Sequence, residues 1–449
     1  MRTSLRPAGI GLVMCIAGVI APGVAHAQSG IATGLSWSGE LQTSWRDQRA
    51  SATGPLAAAN SLQPGLAAVP GSSWLNRAEL TGGWQPKGSR YALASKLLLE
   101  SSQAEQGGSD RHARVNELHA SADWGAWQGS AGKKIVAWDV GYAWRPNDVV
   151  QQEQRRQLLP VTPEGRPVLM LEHFSAESAA TLVMVHPQRW AAASANERGP
   201  EEAALAGRWY QRVGAADWHA FARLGEHSRA SLGGALAWVA TDALELHASA
   251  RALQKHDALV SEAGAAAAPQ AGNPWRLATQ GSTQQWLIGA SWSGQAQQSL
   301  LVELWHDGTA PSNAQWADWR QRNAGLLALG TQSTLWRSAA AGNLAWQAEA
   351  LGGSRANLIT SNLRRDNAYL RASWQPSGGL AGLPGTWTLA ADALITPADR
   401  GHAIGASLQW QGDRWRIDAA WRRYGGPADA LYAQLPVRSS GVVAATYGF

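Results

Sequence analysis

Charged and polar side chains, many of them arginine, recur at every second position along several segments of this 449-residue chain. In the segment RWRIDAAWRRY, Arg414, Arg416, Asp418 and Arg422 alternate with apolar residues. Guanidinium groups remain charged and bind anions, so a set of them along a water-filled path would select anions by electrostatics. Alternation assigns this role to the following residues: Arg208, Arg212, Arg223, Arg251, Arg371, Arg414, Arg416, Asp418, Arg422 and Glu303.

Ion pairing is the alternative role for these charged residues. Residues of opposite charge commonly pair across neighbouring strands, where they only solvate a wet face. The set contains both signs with a basic excess, in keeping with the formal net charge of +5. At the level of sequence, an anion filter and a wall of paired charges both fit this pattern.

Residues 137–167 offer a second kind of chemistry, which is steric filtering. This segment is rich in Gln and Arg and contains four prolines, and segments of this length are usually functional or disordered. Its aromatic residues could fold it into a lumen as a constriction. The alternative is an external loop without a gating role. The residues expected at the constriction are Trp138, Tyr142, Trp144, Arg145 and Asp148.

Residue types suited to covalent or metal chemistry occur without the spacing that such sites need. His306 and Asp307 adjoin each other, but they precede a glycine, and Asp-Gly is a common turn signal. The sequence contains no G-x-S-x-G, H-E-x-x-H, phosphate-loop or calcium-loop motif. Its basic residues are not clustered with stacking aromatics. We therefore expect no catalytic residue, no metal site, no cofactor and no nucleic-acid partner.

The elements that would position the charged residues are short strands. A strand that crosses a bilayer needs about 9–11 residues and alternates between an apolar, lipid-facing side and a polar, lumen-facing side. This alternation predicts strands at residues 116–124, 243–252, 343–350, 366–374 and 414–424.

Tryptophan marks the expected strand ends. Amphipathic indole rings concentrate where a membrane protein meets the lipid–water interface. The links between strands also alternate between short and long, as in barrels with short periplasmic turns and long external loops. The tryptophans that stand just before short turns are Trp84, Trp127, Trp292, Trp374 and Trp410.

The N-terminus has the features of an export signal. Arg2 and Arg6 precede an apolar stretch, and a small-residue motif ends at Ala27. This pattern predicts a secretory signal peptide over residues 1–27. The only cysteine, Cys15, lies inside it, so the mature chain would contain no disulfide and no thiolate site.

Residues 28–449 are predicted to form one all-β unit, a transmembrane antiparallel up-and-down β-barrel. A count of strand-like segments gives twenty, and boundaries read from sequence shift by a few residues. Such barrels have an even number of strands, so eighteen or sixteen also fit the pattern. No linker indicates a second domain.

The C-terminal segment GVVAATYGF resembles the last strand of Gram-negative outer-membrane barrels, which ends in Phe. Its alternating residues are Val443, Ala445, Tyr447 and Phe449. The segment GKKIVAWDVGYAWRPNDVV is similar to part of the outer-membrane channels of the alginate-export kind. These likenesses imply a porin-like barrel in the cell outer membrane, surrounded by its lipid. They also imply that the barrel-assembly machinery recognises Phe449.

Together these features predict an outer-membrane channel for passive diffusion of small polar or anionic solutes, either as a monomer or as a homotrimer. We expect it not to be an enzyme. One alternative is an outer-membrane lipid-modifying enzyme, but His119 and His247 point inward in this assignment, away from lipid. Another alternative is a non-conducting surface scaffold or secretion-partner barrel.

Overall fold

Alternating apolar and polar residues form long antiparallel strands along most of the chain. A computed structural model describes residues 34–105, 107–151, 156–159, 162–187, 202–266, 268–269, 272–352, 362–380 and 382–449. The predicted export signal, residues 1–27, lies outside these ranges and stays a prediction. The strands are β1 Leu35–Ala50, β2 Ser73–Trp84, β3 Tyr91–Ala104, β4 Ser109–Trp124, β5 Trp127–Lys134, β6 Arg166–Phe174, β7 Ser178–Val185, β8 Ala204–Val213, β9 Ala216–Gly225, β10 Arg229–Thr241, β11 Leu244–Leu253, β12 His256–Ser261, β13 Trp275–Gln280, β14 Thr283–Ser293, β15 Gln298–Asp307, β16 Asp366–Trp374, β17 Thr386–Thr396, β18 Gly401–Gln411, β19 Trp415–Gly425 and β20 Val437–Gly448.

Eighteen of these strands form one closed sheet. Each pairs antiparallel with the next along the chain, β11 pairs directly with β14, and β1 pairs with both β2 and β20. Closure is required in lipid, because each unpaired backbone group there costs several kcal/mol. The predicted up-and-down barrel is confirmed, with eighteen strands. Strands β12 and β13 form a separate two-stranded sheet within the link between β11 and β14.

The two faces of the barrel differ in polarity, as strand β19 illustrates. Trp415, Ile417 and Trp421 are exposed on its outer face, whereas Asp418 and Arg422 between them are buried on the inner face. A closed barrel with an apolar outer face and a polar inner face is the outer-membrane type of membrane protein. The protein is therefore located in the outer membrane.

The tryptophans that precede short turns lie on the outer face at one end of the barrel. Trp84, Trp127, Trp292 and Trp374 are all more than two-fifths exposed. The same end carries the chain terminus and the short links, so it is the periplasmic end by the usual arrangement of such barrels. The long links emerge at the opposite, external end, together with three short ones at residues 105–108, 226–228 and 397–400, so the expected alternation of short and long links holds only in part.

Three α-helices lie in the parts of the external links that the structure describes: α1 Pro55–Leu62, α2 Asn313–Gln332 and α3 Arg337–Gly352. They pack together through Ala59, Leu326, Ala340 and Leu344, whose side chains are fully buried. None of the helices among the described residues is both long and apolar enough to cross a membrane.

The strand predicted at residues 343–350 is wrong, because this segment belongs to α3. Its apolar residues Leu344, Ala348 and Leu351 also follow the helical spacing of four and three, and all three are buried. The segment contains three Ala together with one Leu, one Gln and one Glu, all of which favour helix. The apolar residues of this short segment fit both the strand period of two and the helical spacing of three and four, and the helix is the structure that forms.

The seam between β1 and β20 ends in a reciprocal backbone pair. Gly39 N donates to the carbonyl of Phe449 at 2.9 Å, and Phe449 N donates to the carbonyl of Gly39 at 3.0 Å. The Phe449 ring lies edge-on to Trp37, with 6.0 Å between ring centroids. A Cβ atom at Gly39 would overlap the Phe449 ring, so glycine leaves the space that this ring fills.

Replacing Gly39 with valine should therefore weaken closure of the barrel. The added side chain displaces the Phe449 ring, and the expected loss is about 1–3 kcal/mol of unfolding free energy, as for other overpacked sites. The change in unfolding free energy can be measured by urea unfolding of the refolded barrel, in which gel mobility in the cold distinguishes folded from unfolded protein.

Gly441→Val provides the matched control. Gly441 lies on the outer face of the same seam, and a Cβ there meets open space. Equal losses for the two variants would contradict the proposed role of Gly39.

Candidate channel lumen

Ten residues are predicted from alternation to line the channel. The cross-strand register places nine of them on the inner face of the barrel. Their partners form continuous inward rows from strand to strand, such as Glu303 opposite Gly289 and Tyr369. The nine residues are Arg208, Arg212, Arg223, Arg251, Arg371, Arg416, Asp418, Arg422 and Glu303.

Arg414 is placed differently from the sequence-based assignment. It precedes β19 in the short turn at the periplasmic end, where its side chain is exposed. Its Nη1 donates to Tyr447 Oη at 3.2 Å, and Tyr447 lies on the outer face beside Trp415. The alternation of β19 does not extend to this residue because the chain leaves the sheet there.

On β19, the inward arginines pair with carboxylates. Arg416 Nε lies 3.0 Å from Asp418 Oδ2, and Gln409 donates to the other oxygen of Asp418 at 2.9 Å. Arg422 Nη2 lies 2.9 Å from Asp392 Oδ1. This part of the wall is therefore a network of ion pairs, as the alternative role for these charged residues predicts.

On β8, the inward Arg208 contacts aromatic rings. Arg208 Nη2 lies 3.2 Å from His219 Nδ1, and its guanidinium lies 5.6 Å from the centroid of Tyr210. Arg212 follows at the periplasmic end, opposite Asp217 in the register. Strand β8 is eighth and β19 seventeenth of the eighteen strands, so the two sets of arginines stand on opposite walls and do not form one cluster.

The described part of the link between β5 and β6 lies inside the barrel. We call residues 135–151 the inner segment. Trp138, Val149 and Val150 are buried in one apolar cluster with inward residues of the barrel wall, among them Val183 and Phe221. Trp144 is 2% exposed and packs beside Trp305 of β15, with ring centroids 6.0 Å apart.

Glu303 is the first anchor of the inner segment. Its side chain is fully buried, and its two oxygens accept from the backbone N–H groups of Tyr142 and Ala143 at 2.7 and 2.8 Å. His247 Nε2 lies 3.0 Å from Oε1 of the same carboxylate. One wall residue thus satisfies two backbone donors that would otherwise lack a partner inside the barrel.

Asp139 and Asn147 form the second anchor. Asp139 accepts from Ser249 Oγ of β11 at 2.7 Å and from Asn147 N at 2.6 Å. Asn147 Nδ2 in turn donates to Ser249 Oγ at 2.9 Å and to the carbonyl of Ala250 at 3.0 Å. On β10, a Cβ at Gly233 would overlap the Asn147 amide, so this close approach requires glycine.

Two wall arginines bind carbonyl groups of the inner segment. Arg251 Nη1 donates to the carbonyl of Pro146, and Arg223 Nη1 donates to that of Val149, both at 3.2 Å. Arg223 also pairs with Glu202 at 2.8 Å. The sequence predicts that both arginines line the solute path, but their guanidinium N–H groups donate to backbone carbonyls of the chain itself.

The same link reaches a second part of the wall. Arg422 of β19 donates to the carbonyl of Arg156, whose guanidinium lies 4.9 Å from the centroid of Trp305. Leu159 packs with Ala420 and Val442, which face inward on β19 and β20. The link therefore contacts strands on both sides of the lumen.

Burial changes the acidity of two carboxyl groups in the inner segment. Burial raises the pKa of Asp148 to about 6, and it also raises the pKa of Asp139. Asp148 Oδ1 accepts from the backbone N–H groups of Trp138 and Asp139 at 2.9 and 3.2 Å. Arg145 lies 4.0 Å from Asp148 Oδ2, which is too far for a hydrogen bond.

Several residues that build this site were not identified from the sequence. Ser249 and Asp392 are inward residues in alternating strands, but nothing in the sequence distinguishes them from other polar wall positions. Asp139 and Asn147 belong to a segment that the sequence did single out, so its density of polar residues was the available signal. No group of three or more potential metal ligands occurs among the described residues.

No protein-family model matches the chain, and no curated protein matches its sequence. Among solved structures it is similar to Pseudomonas aeruginosa OccK5 (OpdH), at 10% identity over 92% of this chain and 98% of that chain, with a TM-score of 0.51. OccK11 (OpdR) of the same organism follows at 9% identity, with 92% and 96% covered and a TM-score of 0.48. A mutant of Rh. blastica porin is 10% identical, with 92% and 100% covered and a TM-score of 0.42. The likeness to OccK5 supports the porin-like fold.

The Glu303 anchor predicts that Glu303→Ala releases residues 138–150. Two buried N–H groups then lose their acceptor, at about 1–3 kcal/mol each. Hydrogen–deuterium exchange of this peptide should rise at least about tenfold, since 1.4 kcal/mol corresponds to a factor of ten. Glu245→Ala is the control, because Glu245 contacts only the Tyr142 hydroxyl of the segment, at 3.2 Å. Unchanged exchange in Glu303→Ala would contradict the anchor.

The raised pKa of Asp148 predicts that this residue makes the protein more stable at mildly acid pH. The Asp148 carboxyl keeps its proton up to about pH 6 in the folded state but only up to about pH 4 in the unfolded state. The stabilisation from this proton is therefore fully present below about pH 4 and is lost as the pH rises through 6. Asp148→Asn should therefore stabilise the protein by about 1 kcal/mol more at pH 7.5 than at pH 5. Urea unfolding at both pH values measures the difference, and a pH-independent effect would contradict it.

Proposed function

We propose that the protein is an outer-membrane channel through which small polar or anionic solutes diffuse passively. One observation carries the proposal: inward arginines stand on opposite walls of a closed, porin-like barrel that also holds an infolded segment. Such an arrangement filters solutes by charge and by size, and it needs no chemical step.

In this proposal the constriction is formed by residues 137–151, the described first part of the predicted loop 137–167. Trp138 and Trp144 support it by packing against the wall, and Asp148 organises its backbone. Tyr142 is 41% exposed, and Arg145, whose side chain is 18% exposed, donates to the carbonyl of Gly141 at 2.7 Å. Tyr142 sets the width, and Arg145 adds a positive charge beside it.

The proposed preference for anions comes from inward arginines for which no ion pair with a carboxylate occurs among the described residues. Arg208 contacts a histidine and a tyrosine, and Arg371 is exposed on the inner face. Arg416 and Arg422 contribute less, because each pairs with a carboxylate at about hydrogen-bond distance. A modest anion preference is the expected result.

A non-conducting scaffold is the second candidate function. The link between β5 and β6 contacts both sides of the lumen, through Trp144 at Trp305 and through Leu159 at Val442. Contacts of this extent could close the barrel. An outer-membrane lipid enzyme has less support, since His247 is buried against Glu303 inside the barrel.

The proposed partners follow from the same architecture. Outer-membrane lipid surrounds the apolar face, and the barrel-assembly machinery reads the final strand through Phe449. Assembly as a homotrimer is part of the proposal. No cofactor is assigned a role.

Planar-bilayer recording of the refolded protein tests the proposal. Single-channel steps are expected, with a reversal potential in a KCl gradient that indicates preference for chloride. Arg208→Gln should shift this potential toward that of a nonselective pore, and the shift should shrink in high salt because exposed charges are screened. The absence of steps would support the scaffold instead.

Glu40→Gln supplies a control of opposite sign. Glu40 faces inward near the periplasmic end, opposite Glu79 in the register. Neutralising it should increase the preference for chloride. If both variants shift the reversal potential in the same direction, wall charge does not determine selectivity.

A further inference from the structure

Three arginines lie close together on the outer, lipid-facing side of the barrel. They are Arg49 of β1, Arg423 of β19 and Arg438 of β20, and we call them the outer arginine cluster. Their three strands are neighbours at the seam, because β20 pairs with both β1 and β19. The cluster lies where these strands meet the external links.

The register places Arg49 and Arg423 on the outer face, and Arg438, which stands at a bulge of β20, lines the same cavity as these two. Ser439 of β20 stands between Arg423 and Arg49, so these residues form one row across the three strands. The next row toward the periplasm contains Trp421, which is 44% exposed. Arg422, the neighbour of Arg423, is buried on the inner face and pairs with Asp392.

The aromatic residues of β19 give the depth of the cluster in the membrane. Trp415 and Trp421 lie six residues apart on the outer face, which is about 20 Å along a strand. They mark the two ends of the apolar band, as aromatic girdles do in such barrels. Arg423 lies beyond Trp421, at the level of the headgroups in the external leaflet.

The charge of the cluster is not neutralised within the described part of the chain. No ion pair or hydrogen bond of the Arg49, Arg423 or Arg438 side chains occurs there, unlike those of the inward arginines. The single carboxylate nearby, Asp47, accepts from Ser72 Oγ at 3.1 Å. Three positive charges and one negative charge therefore face the interface.

A cavity of about 420 Å³ lies between these side chains. The absence of a side chain at Gly441 helps to leave it open, since a Cβ there meets no atom within 4 Å. Below it, Trp45 and Val443 present an exposed apolar surface. A ligand that carries anionic groups above and hydrocarbon chains below would match this surface. The residues lining the cavity are Asp47, Arg49, Trp421, Arg423, Arg438, Ser439 and Gly441.

We infer that the outer arginine cluster binds the phosphorylated sugar headgroup of a glycolipid in the external leaflet. Guanidinium groups match phosphate through two parallel hydrogen bonds, and such charge-assisted bonds are stronger than neutral ones. The acyl chains would lie along Trp45 and Val443. This site is separate from the lumen and does not depend on whether the barrel conducts.

Native mass spectrometry of the full barrel in detergent tests the inference. The probes are diphosphoryl lipid A, monophosphoryl lipid A and phosphatidylethanolamine. Diphosphoryl lipid A should bind most tightly, and the triple change Arg49→Ala, Arg423→Ala and Arg438→Ala should weaken it at least about tenfold, since several charge-assisted contacts are lost. Equal binding of the triple variant and the unaltered protein would overturn the inference, as would equal affinity for all three lipids.

Two further variants keep the result interpretable. Arg111→Ala is the matched control, because Arg111 is also exposed on the outer face but lies on β4, outside the cluster. Gly441→Leu leaves every charge in place and fills the cavity, so it should weaken lipid A binding even if the triple variant does not fold. Normal binding by Gly441→Leu, or loss of binding in Arg111→Ala, would count against the site.

Discussion

The requirement that every backbone hydrogen bond be made within the protein governs this structure. Hydrocarbon offers no partner to an N–H or a carbonyl, so a sheet in lipid is stable only when it has no edge. The pairing of β1 with β20, completed by the reciprocal bonds of Gly39 and Phe449, removes the last edge. The inward and outward faces, and with them the lumen, exist because the ring is complete.

The same requirement operates inside the barrel. The inner segment has no regular secondary structure, so its backbone groups need partners from side chains. Glu303 accepts from two N–H groups, and Arg223 and Arg251 donate to two carbonyls. Charged residues of the wall thus hold a polar chain in place as well as facing water. The number of charges on the inner face therefore overstates the number available to a passing solute.

Much of the fold could be predicted from the sequence, because a period of two follows directly from the geometry of a strand with one side in lipid. Strands β4, β11, β16 and β19 are found where alternation placed them. Residues 343–350 show the limit, since their apolar positions fit a helix as well and only packing against α1 and α2 decides. The pairing of Glu303 with Tyr142, 161 positions apart in the chain, leaves no local pattern from which it could be predicted. Arg414 shows that alternation identifies the face of a strand residue but not where the strand begins.

Tryptophan occurs 25 times in this chain and Phe three times, and many of the described indole rings belong to one of two populations. Trp84, Trp292 and others on the outer face touch lipid, whereas Trp144, Trp305 and Trp319 are buried in the lumen or among the external helices. Brominated acyl chains quench fluorescence only on contact. Tryptophan emission that these chains quench would therefore report insertion of the barrel into a bilayer. Tryptophan emission that they do not quench would report the packing of the barrel interior. Both signals come from the unlabelled protein.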